Sequence, residues 1–279
     1  MSRPAKPGFF ICMLKLLILS LAFSPCFAAQ RIVSFLPSNT EILFAIGAST
    51  VVGVSDFCDW PPQALSAEKV GDAFLPNVEK IAALRPDVVF LGEDGGLALR
   101  LKKLGIKTVE VPQAADIAGI ARAIRLIGAQ TGRNAQADAL ANRLLAEAAG
   151  LEKESEKLKN RPRVYIEVDS PRWTAGRGSF ISDVLEKAGG INVFADISAA
   201  YARVSWETVV SRNPDVIISL SHAKVDYAKL PGADKINAIR NGRVLDSLDK
   251  NLISRPGPVQ YIAVFASCVS LWNECNLAL

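Results

Sequence analysis

The chain has 279 residues, half of them hydrophobic, with 22% charged, 7% aromatic and a formal net charge of +4. That can bury one large core or two of ordinary size, and it excludes a disordered or fibrous chain. The charge is concentrated at the front: removing residues 1–28 takes three basic side chains and no acidic one, leaving 29 basic against 28 acidic. Nothing then favours a nucleic-acid partner, which needs a clustered basic face.

In chain order, Arg3, Lys6 and Lys15 precede an apolar run over 16–23, Pro25 and the small-residue boundary Cys26-Phe27-Ala28. This pattern predicts a secretory signal peptide cleaved after Ala28 and export across the membrane. Cys26 raises a lipid-anchored alternative, against which Pro25 directly before it argues. The run is too short for a comfortable membrane span, and no later stretch reaches about 18 uninterrupted apolar residues.

A strand is predicted over 31–36, then a helix over 41–48 that Ser38 or Asn39 would cap, with Glu41 at its positive end. A strand over 51–55 leads into Asp56-Phe57-Cys58-Asp59-Trp60-Pro61-Pro62, an aromatic loop stiffened by consecutive prolines. A helix from Asn77, a strand over 87–91, a loop over 92–96, a helix over 97–104, a strand over 107–111 and a helix over 116–131 complete the first half. The second half reads as a strand over 163–168, a loop over 169–178, a helix over 180–188, a helix from Ser205 and a strand over 216–220. It ends with a loop through His222, a helix over 234–240, a strand over 243–246 and a helix over 258–276. Strand and helix alternate, so the fold class is α/β with mainly parallel sheets covered on both faces.

Between the halves, Ala137, Leu140, Ala141, Leu144, Leu145, Ala148 and Leu151 recur at helical spacing, predicting one long helix over 133–160. On either side of it stand similar segments. Asn77-Val78-Glu79 leads to Arg85-Pro86-Asp87 and a β-branched run; Ser205-Trp206-Glu207 leads to Asn213-Pro214-Asp215 and another, with the same interval from glutamate to Pro-Asp. We therefore expect two similar lobes, 29–132 and 161–279, joined by a helical strut.

Ligands of open parallel sheets bind beyond the carboxyl ends of the strands. That rule nominates the loops over 37–39, 56–60, 92–96, 169–178 and 251–258, which bring Phe57, Trp60, Trp173, Arg177 and Arg255, with Phe74 and Tyr201 on neighbouring connections. A cleft with aromatic walls and a few cations suits a large, flat, partly polar ligand. The single histidine, His222, excludes a zinc or manganese site built from several imidazoles, and no Gly-x-Ser-x-Gly elbow accompanies it. Gly176-Arg177-Gly178 lacks the surroundings of a phosphate loop, and Glu93-Asp94 reads as a solvated pair. Cys58, Cys268 and Cys275 are expected to form no disulfide, with Cys268 a buried small hydrophobe.

The sequence resembles the periplasmic substrate-binding proteins of ABC importers for iron complexes and cobalamin. The resemblance rests on Pro37-Ser38-Asn39-Thr40-Glu41, Gly53-Val54-Ser55, Asp59-Trp60-Pro61-Pro62, Asn77-Val78-Glu79, Leu84-Arg85-Pro86-Asp87, Trp173-Thr174-Ala175-Gly176, Val204-Ser205-Trp206-Glu207 and Arg255-Pro256-Gly257-Pro258. Within the family the cobalamin-binding branch is the most similar. The resemblance implies a non-enzymatic protein that holds its cargo between two lobes and delivers it to a membrane permease dimer, with Glu79 and Glu207 as the docking carboxylates. It implies no cofactor; a corrinoid would be cargo. The family's tryptophan positions fall on Ala73 or Phe74, Leu91 and Tyr201, so the wall is altered, and a ferric siderophore or haem stands as the alternative cargo. The branch's cysteine pair falls on Ala188 and Cys268. An exported enzyme using Asp169 or Glu93 and a periplasmic sensor partner are the remaining readings.

Overall fold

A computed structural model describes residues 31–48, 50–72, 74–92, 96–221, 224–246, 255–258, 267, 268 and 272. The expected signal peptide, Ala73, Glu93, Asp94, His222, Cys275 and most of the helix over 258–276 lie outside the described residues.

The first sheet holds β1 (Ile32–Ser34), β2 (Val51–Val54), β3 (Glu68–Lys69), β4 (Val88–Leu91) and β5 (Thr108–Glu110), all parallel, in the order β3-β2-β1-β4-β5. Its helices are α1 (Pro37–Ala45), α2 (Val78–Ala83), α3 (Leu97–Lys103) and α4 (Ile117–Thr131). Successive side chains of a strand face opposite sides, and both sides are buried. Ile32, Val88 and Phe90 join the core beneath α1 and α4, whereas Val33, Val89 and Leu91 join the core beneath α2 and α3.

After the long helix α5 (Asn134–Ser155), the second sheet holds β6 (Arg163–Asp169), β7 (Trp173–Ala175), β8 (Ile191–Asn192), β9 (Tyr201–Arg203), β10 (Val216–Ser219) and β11 (Val244–Leu245). Its order is β11-β10-β6-β7-β9, with β8 beside the start of β6. Helices α6 (Phe180–Lys187), α7 (Trp206–Arg212) and α8 (Asn237–Arg240) accompany it. The alternation repeats: Val164, Ile166, Val216 and Ile218 face the core shared with α5, and Tyr165 and Ile217 face Phe194 and Trp206.

One hydrophobic cluster runs through both halves. Ala137, Leu140, Ala141, Leu144 and Ala148 of α5 belong to the same core as Ile32 and Phe90 of the first sheet and Ile166 and Ile218 of the second. The helix is thus a shared wall, and α4 packs along it so closely that a Cβ on Gly128 would lie 2.3 Å from the Ala137 Cβ.

Four expectations need correction. Helix α1 starts at Pro37 rather than at 41, because a proline fits the first helical turn, where its missing N–H costs nothing. Ser38 and Asn39 therefore lie inside the helix instead of capping it, and Glu41 is buried in its second turn. Helix α5 ends at Ser155, not at 160, where its apolar stripe runs out and the Ser155 hydroxyl donates to the Lys187 carbonyl at 2.6 Å. The expected loop over 169–178 contains β7, which pairs antiparallel with β6 and β9, so the second sheet is mixed. Cys58 and Cys268 are free thiols; Cys268 and Ala188 are both buried in the shared core, and burial pushes the Cys268 thiol up to about 12.

Candidate functional site

The two helix starts flagged by the internal match are built alike. Asn77 caps α2 by accepting the Lys80 N–H at 2.9 Å, and Ser205 caps α7 by accepting the Thr208 N–H at 3.2 Å. Glu79 and Glu207 each stand second in their helix and are exposed. A hydrogen bond from its own backbone N–H and one from the Ser205 hydroxyl hold the Glu207 carboxyl below the usual range, so it is anionic at neutral pH.

The match extends to the far end of each unit. Arg85 and Asn213 both take the left-handed conformation, at φ 46° and 43°, immediately before a proline. Asp87 accepts the Arg31 N–H at 2.9 Å and Asp215 accepts the Arg163 N–H at 3.0 Å, while the two arginine side chains donate to the carbonyls of Leu84 and Arg212. Each lobe's first strand is therefore clamped to the same Pro-Asp turn.

In the loop after β2, expected to face the ligand, Cys58 points inward, its sulfur 3.1 Å from the Thr40 hydroxyl and 3.2 Å from that of Ser55. Lys69 Nζ donates to the carbonyls of Ser55 and Cys58 at 3.0 and 2.8 Å. With the loop pinned through its middle, Phe57 is left 57% exposed and Trp60 is half-exposed. Phe74, 86% exposed, tops a turn in which one Asp72 carboxylate oxygen accepts the N–H groups of Phe74 and Leu75 at 2.7 and 2.8 Å.

In the second lobe, Trp173 pairs with Arg203 and Ala175 with Tyr201 across β7 and β9. Residues two apart share a face, so Trp173, Tyr201 and Arg203 stand together on one face of the β7–β9 pair, all exposed. The hairpin is set by Glu167, a buried carboxylate that accepts the Arg172 N–H at 3.0 Å and the hydroxyls of Tyr165 and Tyr227 at 3.2 and 2.9 Å. Burial raises the pKa of both tyrosines, keeping them as donors. Gly176 follows at a crossing where a Cβ would meet the Ala199 carbonyl oxygen at 2.1 Å, so no other residue fits.

Two expected wall residues are placed differently. Leu91 is 1% exposed and packs into the core under α2 and α3, because the last residue of β4 faces inward in the alternation; it presents nothing to a ligand. Arg255 is engaged by Asp59, with Nη1 to Oδ1 at 2.5 Å. Arg177 is exposed. Sequence reasoning missed Asp59, Glu167 and Arg203. The alternation of Tyr165 with Glu167 on one strand was the available signal for the second of these.

The family described as periplasmic binding protein matches residues 32–250. The chain belongs to that family. The vitamin B12-binding protein of Salmonella typhimurium (strain LT2) is 38% identical over 196 residues, covering 69% of this chain and 73% of that protein. The structure of a possible iron-binding (periplasmic solute-binding) protein from Staphylococcus epidermidis ATCC 12228 superposes with a TM-score of 0.76 at 33% identity, over 89% of this chain and 99% of the other. The periplasmic vitamin B12 binding protein BtuF of Vibrio cholerae gives 0.75 at 26% identity, over 89% and 98%. This is a substrate-binding protein of the ABC importer type, a family of binders rather than enzymes, and such a protein has a permease with its ATPase as partner. Among the described residues no helix is long and apolar enough to cross a membrane.

Proposed function

We propose that this protein, exported to the periplasm, captures a cobalamin-like corrinoid between its lobes and hands it to the importer permease. The observation that carries the reading is the set of exposed rings: Phe57, Trp60 and Phe74 on loops of one lobe and Trp173 and Tyr201 on strands β7 and β9 of the other, on backbone held by Lys69, Asp72 and Glu167. Exposed rings on fixed backbone suit a broad, flat, largely uncharged ligand, since little ordering is needed on binding. The vitamin B12-binding relative supports the same class. Glu79 and Glu207, one on each lobe in equivalent capped helix starts, are the carboxylates that would meet cations of the permease.

Titrating the protein with cyanocobalamin while following tryptophan fluorescence tests the ligand. Saturable one-to-one quenching at micromolar ligand or below is expected; neither quenching nor a thermal shift would exclude the class. A ferric siderophore or haem is the second reading, favoured by exposed Arg177 and by the iron-associated relative. On that reading Arg177→Ala weakens an anionic complex far more than a neutral one.

A further inference from the structure

Arg255 and Asp59 lie 196 residues apart, one after the second sheet and the other in the aromatic loop of the first lobe. The guanidinium sits with Nη1 2.5 Å from Asp59 Oδ1 and Nη2 3.5 Å from the Phe57 carbonyl oxygen. The arginine side chain is 15% exposed and the aspartate side chain 53%. The cation is therefore covered, and its own carboxylate partner is the part that faces solvent, on the loop that also carries the exposed rings of Phe57 and Trp60.

We propose that this pair is a specificity element: Asp59 occupies the position on Arg255 that a ligand carboxylate would take and so turns the site against anionic metal complexes. The inference rests on the reading that cargo binds beside Phe57 and Trp60. A guanidinium offers a planar fork that fits one carboxylate well. Here the Asp59 carboxylate takes one arm of the fork and the Phe57 carbonyl oxygen faces the other, so an incoming anion must either displace Asp59 or approach its exposed negative charge. Discrimination between two ligands is a difference of affinities, and a fixed repulsive group lowers one without improving the other. A corrinoid whose periphery is uncharged amide escapes the penalty; a porphyrin with two propionates does not. Hydrogen bonding and charge from Arg255 hold the Asp59 carboxyl below its usual range, so the repelling charge is present at neutral pH.

The test compares haemin with its dimethyl ester, which keeps the ring and lacks the carboxylates, in wild type, Asp59→Asn, Asp59→Asn with Arg255→Gln, and the exchange Asp59→Arg with Arg255→Asp. Asp59→Asn should raise haemin affinity at least tenfold while the ester changes less than threefold. The gain should vanish when Arg255→Gln is added, and the exchanged pair, which replaces the exposed carboxylate by an exposed guanidinium, should also bind haemin more tightly than wild type; no gain in the exchanged pair would overturn the proposal. Haemin affinity that is equal in wild type and Asp59→Asn, or a gain shared by the ester, overturns the proposal. Thermal melting of each variant checks folding, and the exchanged pair supplies a second route should Asp59→Asn not fold. Cyanocobalamin titration of the wild type is a separate measurement, so failure of the corrinoid reading is seen independently of this result.

Discussion

The two lobes agree where the chain is framed and differ where the ligand would lie. Each has a polar residue capping a short helix, an exposed glutamate second in it, a left-handed residue before proline, and an aspartate clamped to an arginine at the first strand. Beyond the carboxyl end of that first strand the likeness stops. In the first lobe β1 runs into Pro37 and a helix; in the second β6 runs into an antiparallel hairpin carrying Trp173 and anchored by Glu167. The parts that set strand and helix positions match between the lobes, and the elements proposed to face cargo differ, so the proposed site is asymmetric between two matched glutamates.

The largest expected effect tests the matched part. Replacing Glu79 and Glu207 together by arginine should abolish ligand uptake by cells while leaving the affinity of the purified protein unchanged. If the lobes are equivalent in docking, the two single replacements should reduce uptake by similar amounts. Unimpaired uptake in the double variant would refute the docking role.

Next in size is a change that belongs to the second lobe alone. Glu167→Leu takes the acceptor from the Tyr165 hydroxyl and the Arg172 N–H and leaves the Tyr227 hydroxyl only Ser219, and should cost roughly 3 kcal/mol in urea unfolding. Cys58→Ala in the first lobe removes only weak sulfur contacts, and its loss should stay near 1 kcal/mol or below, on the order expected of a small buried truncation. Equal losses would mean that the two loop supports are not different in kind.

The wall shared by the lobes gives a smaller effect with opposite signs at two glycines. Gly128→Ala should destabilise by about 1–3 kcal/mol, because the added methyl meets Ala137 at 2.3 Å and overpacking outweighs the better helix propensity. Gly150→Ala, in α5 with open space around it, should stabilise by roughly 0.5–1 kcal/mol. Thermal unfolding of both variants reads the contrast.

The smallest effect is in pH. The Asp59 carboxyl is lowered in the folded protein, so the pair between the lobes contributes fully above the unfolded value of 3.8 and is lost as pH falls through the lower folded value. The stability difference between wild type and Asp59→Asn should therefore be constant near neutral pH and close as pH falls below 3.8, so the acid limb of the variant is slightly flatter. An unchanged acid limb would show that the pair adds nothing to the joining of the lobes.

Much of this arrangement could be read from local pattern. The stripe from Ala137 to Leu151 marked the long helix, because a helix that buries one side must space its apolar residues by three and four. The matched Glu79 and Glu207 were visible because capping, proline and aspartate act within a few residues of one another. The end of α5 was not, since charged residues beyond Ser155 are good helix formers and only the loss of a packing partner stops the helix there. Strand β7 was hidden by its length and by its dependence on β9, which lies far along the chain. Leu91 was misread because a strand end looks the same on either face until the register is known.

By itself the sequence determined the α/β class, the two-lobe plan, the strut and the pair of acidic helix starts, all of which follow from contacts close along the chain. Tertiary structure alone decided that one core serves both lobes, that Glu167 sets the Trp173 hairpin and that Asp59 occupies Arg255. Those depend on groups that meet across as many as 60 and 196 residues, and no local propensity carries that information.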